Sequence, residues 1–135
     1  MKKLILFALL VVSFSFFSCT EKVGGNADMS TIEFSVLHSE WIEYGNPGEV
    51  WYGYAVDIVM PEITDNVVHN GMLSLYMKLG ESWVPVPLNF YYNGFQGGYF
   101  YTMKRGILSV EYYESDQQTV RPESQLFRLV IVQPF

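Results

Sequence analysis

Two histidines, one cysteine and a spread of carboxylates are the groups in this sequence that could catalyse a reaction or bind a metal. His38 and His69 each lack a second histidine or a cysteine at metal-ligand spacing, so no metal site is expected. His69 falls at the end of a short helical pattern, where the dipole favours it. No serine stands in a Gly-x-Ser-x-Gly elbow, although a Ser-His-Asp triad assembles in space and spacing alone does not decide it. A pair of carboxylates could serve a polysaccharide hydrolase, and Asp57 is the acid inside a strongly apolar strand pattern. Glu111, Glu114 and Asp116, with Gln117 and Gln118, form a polar hairpin end that lacks the regular oxygen spacing of a calcium loop. Gly94, Gly97 and Gly98 lie among aromatics, as in a hairpin, and make no phosphate-cradling loop. No catalytic residue and no cofactor is expected from these patterns. Aromatic side chains remain, at 17% of the chain. Flat rings on an outer face stack on sugars or on a partner protein.

The elements that must position those rings are strands. From Thr31 the pattern has period two, with Ile32, Phe34 and Val36 alternating against Glu33 and Ser35, which reads as a half-buried strand. Similar runs recur at 50–60, 72–79, 83–92, 98–103, 107–113 and 126–132, seven in all. Asn46, Pro47 and Gly48 suit a turn with proline second and glycine third, and Asn93 with Gly94 is the dipeptide of tight hairpins. Such punctuation predicts an all-β antiparallel β-sandwich with one short helix. That helix is read in 61–71, capped by Thr64, with Ile63, Val67 and Val68 on its apolar side and Asn70 and Gly71 ending it in the left-handed conformation. The run 126–132 is apolar on both faces except at Arg128, so it should lie centrally.

Parity then assigns faces. Leu73, Leu75, Met77 and Leu79 must share a face with Val84, Val86, Leu88 and Phe90, which requires a two-residue loop drawn from Gly80, Glu81 and Ser82. Trp83, Pro85 and Pro87 then fall on the other face with Tyr76 and Lys78. Proline has no N–H, so 83–90 should be an edge strand. In 50–60, Tyr52, Tyr54, Val56 and Ile58 point inward, and Trp51, Gly53, Ala55 and Asp57 outward. Trp51, Tyr76, Trp83 and Pro85 are therefore the candidate binding residues, while Trp41, near Leu37 and Tyr44, is expected in the core.

The N-terminus carries an address. Lys2 and Lys3 precede an apolar run, Leu4 to Phe17, interrupted by Ser13 and Ser15 and followed by Ser18 and Cys19. That is the layout of a secretory signal, and the run is shorter than the roughly 20 residues a membrane-spanning helix needs. Phe16, Phe17, Ser18 and Cys19 resemble the lipobox of bacterial lipoproteins, with Phe16 where an aliphatic residue is usual. The resemblance implies cleavage before Cys19 and lipid on Cys19, and Thr20 after it implies the outer membrane. The expected organisation is a leader at 1–18, a flexible tether at 19–30 and the β domain at 31–135. Removing the leader takes two lysines from a chain whose formal charge is already −6, which argues against a nucleic-acid partner.

Ile63, Thr64, Val67, Gly71, Leu75, Tyr76, Trp83, Pro85 and Pro87, with Phe127, Arg128 and Ile131, resemble a recurring pattern in small exported lipoproteins of Bacteroidota. The pattern often has leucine where this chain has Val86. The resemblance implies a small all-β exported domain and assigns it no activity. The sequence therefore predicts a lipid-anchored envelope module with a binding or structural role, its partner a glycan or an envelope protein. The alternatives are a glycan-binding accessory lipoprotein and an extracytoplasmic polysaccharide hydrolase.

Overall fold

The last strand shows how the sequence builds its core. Gln125–Pro134 alternates Phe127, Leu129 and Ile131, all buried, against Arg128 and Val130. A strand with this pattern is held on both edges, and it pairs antiparallel with two neighbours, Phe127 standing opposite Phe34 on one side and Met77 on the other. The computed structural model describes residues 17–23, 27–92 and 94–134. Among these the strands are β1 (Phe17–Val23), β2 (Ala27–Val36), β3 (Ile42–Tyr44), β4 (Gly53–Val59), β5 (Met72–Leu79), β6 (Ser82–Val86), β7 (Leu88–Tyr92), β8 (Phe95–Lys104), β9 (Ile107–Glu114) and β10 (Gln125–Pro134). They form two five-stranded antiparallel sheets, β1-β2-β10-β5-β6 and β3-β4-β9-β8-β7. The inner faces of the two sheets share one apolar core, with Phe34 stacked on Phe127 at 5.5 Å and Trp41 edge-on to Tyr99 at 6.2 Å.

The protein is thus an all-β sandwich, with ten strands where seven were expected. Two of the additions, β1 and β3, lack apolar alternation, because each is joined to a better-patterned neighbour through its backbone. The third comes from the run 83–92, which is two strands. β6 is the edge of the first sheet and β7 the edge of the second. Pro87, which has no N–H to give a ladder, stands at the crossing. The edge position expected for this run holds for both halves. The hairpin register also holds, with Leu75 opposite Val86, Met77 opposite Val84 and Gly80 and Glu81 as the loop.

Residues 1–16 of the expected leader lie outside the described residues, as does Asn93. The stretch 19–30, expected as a flexible tether, is strand wherever it is described: Cys19 stands opposite Thr31, and Val23 opposite Ala27. The core alternation of Ile32, Phe34 and Val36 anchors β2, and backbone pairing then carries the ladder past the last core residue without further apolar signal.

Helix α1 (Asp65–Asn70) begins as predicted, the Val67 N–H donating to Thr64 Oγ1 at 3.3 Å. It ends differently. Gly71 has φ −90°, so no left-handed cap forms. Glycine is required there by close approach, since a Cβ would lie 2.7 Å from the Val132 carbonyl oxygen and 2.9 Å from Val67. The turn at Asn46 is as expected: the Glu49 N–H donates to the Asn46 carbonyl at 3.0 Å, and Gly48 has φ +89°.

Candidate functional site

The four predicted binding residues do not form one surface. Trp83 lies on the outer face of the first sheet, opposite Lys78 on β5. The Arg128 guanidinium carbon stands 4.0 Å from its ring centroid and the Lys78 Nζ 5.1 Å. Arg128 is fixed in turn by Glu33, whose Oε1 accepts from Nη2 at 2.6 Å and from Nε at 3.0 Å. Trp83 is therefore half-buried under cations of its own sheet. Tyr76 and Pro85 are register partners beside it, Tyr76 half-buried and Pro85 exposed. Trp51 belongs elsewhere. Parity made it a strand residue, but β4 begins at Gly53, and Trp51 sits in a turn closed by the Tyr52 N–H donating to the Glu49 carbonyl at 3.1 Å. It stands 80% exposed at the entry to the second sheet. Trp41 is in the core, as expected.

The outer face of the second sheet carries an aromatic group that parity did not assemble. Tyr113 on β9 has Gly53 opposite it on β4 and Gly98 opposite it on β8. Both positions lack a side chain for steric reasons. A Cβ on Gly53 would lie 2.8 Å from the Tyr44 hydroxyl and 2.4 Å from the Tyr112 carbonyl oxygen, and one on Gly98 would lie 2.8 Å from Asn89 Oδ1 and 3.0 Å from the Phe100 ring. Tyr44 thus lies across Gly53, and Phe100 leans across Gly98 to stack on Tyr113 at 5.1 Å with planes 12° apart. The three rings, each half-buried, run over the strands as a platform. By register Tyr91, 83% exposed on β7, is on the same face. Glycines inside strands mark close approach of a neighbouring group, and that was the available signal.

Polar groups flank the platform. Glu111 stands opposite Ala55 and Phe100 in the register and points outward with Tyr113. Asp57, exposed on the same face, accepts the Ser109 hydroxyl proton. Burial, followed by the charge of Glu111 and then Tyr113, holds the Tyr44 hydroxyl above the usual tyrosine pKa. It is therefore a neutral donor at any ordinary pH.

The acid group at 111–116 divides. Glu111 faces out and Glu114 faces in, where its carboxylate accepts the Tyr112 hydroxyl at 2.7 Å and the Val120 N–H at 3.2 Å. Thr119 Oγ1 accepts the Glu114 N–H and donates to the Tyr52 carbonyl, tying the 115–124 loop to the residue just before β4. Asp57 and Glu114 stand on opposite faces of the sheet and about 17 Å apart along it, which is too far for a glycosidase pair. Each histidine is engaged with backbone, His38 Nδ1 with the Pro122 carbonyl and His69 Nδ1 with the Asp65 carbonyl. Among the described residues no three His, Cys, Asp or Glu side chains are placed to hold a metal ion, and no helix is long and apolar enough to cross a membrane.

Comparison with protein-family models, with curated proteins and with solved structures finds no match.

Proposed function

We propose that this protein is a lipid-anchored glycan-binding module of the cell envelope, held at the outer membrane through Cys19 and presenting the outer face of its second sheet. The platform of Tyr44, Tyr113 and Phe100, kept clear by Gly53 and Gly98, carries this reading. Among the described residues no cation lies over these rings, and flat uncovered rings offer their faces to the C–H surface of a sugar. Glu111 and Asp57 beside them can accept sugar hydroxyl protons in charge-assisted hydrogen bonds. The anchor rests on the resemblance of Phe16, Phe17, Ser18 and Cys19 to a lipobox, and two or more acyl chains would hold the domain firmly.

Affinity electrophoresis against a panel of envelope and dietary polysaccharides tests the binding. The wild type should be retarded by at least one of them, and Tyr113→Ala should not. Retardation of both alike would remove the platform from the reading. Labelled palmitate should enter the wild-type protein and not Cys19→Ala. Equal labelling would remove the anchor. In the hydrolase alternative Asp57 and Glu111 would be the acids, because they share a face and are diagonal neighbours in the register. Reducing ends released from the same panel would show it.

A further inference from the structure

The two long sides of the sandwich are finished differently. On one, β6 runs directly into β7 through Pro87 alone; on the other, residues 37–41 carry β2 into β3. Beside that connection β2 and β4 face each other across a groove of about 920 Å³. Phe34, Val36, Val56, Ile58 and Met60 line it from the core side, and Val59, 72% exposed, lines its mouth.

Two features of the groove point to its occupant. The first is backbone. β3 pairs with β4 only at Gly53 to Ala55, so Val56 to Val59 has no strand on that edge among the described residues. Alternate residues along such an edge direct N–H and C=O groups outward, ready for another strand. The second is charge. Among the described residues Glu40, Asp57 and Glu62 are the charged side chains that line the groove.

We propose that this groove binds an extended peptide segment of another envelope protein, with apolar residues at alternate positions and lysine or arginine at its ends, added as a strand to the free edge of β4. Main-chain hydrogen bonds along the edge would hold the segment and the apolar wall would select its alternate side chains. The acidic lining would prefer cationic ends. The free stretch of β4 is about 13 Å long, so a segment of about seven residues spans it and reaches the acids. This inference goes beyond the glycan reading: the groove borders the platform at Tyr44 and Asp57 but extends from there along the free edge of β4 to Glu62, away from Tyr113 and Phe100.

Fluorescence anisotropy with a labelled Lys-Val-Thr-Val-Thr-Val-Lys peptide and the protein expressed from its full coding sequence tests it. Saturable binding is expected, weakened about tenfold when both lysines become glutamates. N-methylation of alternate residues in one register should abolish binding, and in the other register leave it, because only one set of N–H groups meets the edge. Glu62→Lys and Val59→Lys, both at exposed positions, should weaken the lysine peptide and strengthen the glutamate one. A gain for the glutamate peptide also shows that these variants are folded. Equal binding of both peptides, indifference to N-methylation in either register, or uptake of a palmitate probe with no peptide binding would overturn the proposal. No glycan takes part in the readout, so failure here leaves the platform reading standing, and failure of the platform leaves this one.

Discussion

The outer faces of the two sheets hold similar aromatic residues and use them oppositely. On the first, Trp83 lies beneath Arg128 and Lys78, and the guanidinium is itself clamped by Glu33. The ring's electrons are spent on cations of the same chain, so the face is closed by its own side chains. On the second, the residues facing Tyr113 across the register are glycines. The space these glycines leave is taken by Tyr44 over Gly53 and by Phe100 and the Asn89 amide over Gly98. What an aromatic residue on a sheet can do depends on its cross-strand neighbours more than on the residue itself.

The hardest way to break this contrast is to fill the gap on the second face. Gly53→Ala places a methyl 2.4 Å from the backbone oxygen of Tyr112, and backbone cannot move aside as a side-chain tip can. We expect a loss of about 3 kcal/mol, at the upper end for overpacking, read as a lower urea midpoint with unchanged slope. A wild-type midpoint would mean that the strands separate freely there and that the glycine has no steric role. Next in size is Tyr113→Ala, which should lower glycan affinity about tenfold, or roughly 1.4 kcal/mol, while Trp83→Ala leaves it unchanged. Equal losses from the two would erase the difference between the faces.

Much of this was readable from the chain. The pairing of Met77 with Val84 follows from parity, the edge position of the Trp83 run from the missing N–H of proline, and the central position of β10 from its being apolar on both faces. These depend on local periodicity, which a sequence carries directly. The rest depends on distant residues. Parity put Trp83 outward correctly, but whether it is bare depends on Arg128, two strands away across the sheet, and no spacing in the sequence announces that contact. Trp51 is exposed as parity implied, but its place inside a strand was wrong, since the strand pattern ran through a turn whose hydrogen bond from Tyr52 to Glu49 turns the chain before β4 begins. The platform was missed because its decisive members are Gly53 and Gly98, and a residue with no side chain leaves no apolar signal. The run 83–92 read as continuous because the alternation survives Pro87 while the chain changes sheet.

A smaller effect sharpens the second face alone. Tyr44 should stay protonated as pH passes 10, because burial and then Glu111 oppose its ionisation. The neutral form is favoured in the folded state, so whatever stability Tyr44 contributes this way is complete below the ordinary tyrosine pKa and is lost as pH rises through the higher folded value. Glycan retention should therefore persist past pH 10 and fall above it. In Glu111→Gln the fall should begin at lower pH, since one negative neighbour is gone. Tyrosinate absorbance followed alongside retention checks the assignment, and an unshifted onset in the variant would detach Glu111 from Tyr44.

The smallest energetic effect belongs to the first face. Arg128 and Glu33 are 34% and 38% exposed, so water screens their pairing. Arg128→Gln should cost no more than about 1 kcal/mol, counting the ring contact. Its optical effect should be larger than its energetic one. In a Trp51→Phe background the indoles are Trp41, 1% exposed, and Trp83. Acrylamide quenching then reports Trp83 almost alone. With Arg128 present the quenching constant should be low, and in Arg128→Gln it should rise as the ring opens to solvent. If the variant then also gains glycan retention, the two faces differ only in the cation that covers one of them. If quenching rises and retention does not, a bare ring is insufficient, and the flat neighbours that Gly53 and Gly98 permit are what make the second face a site.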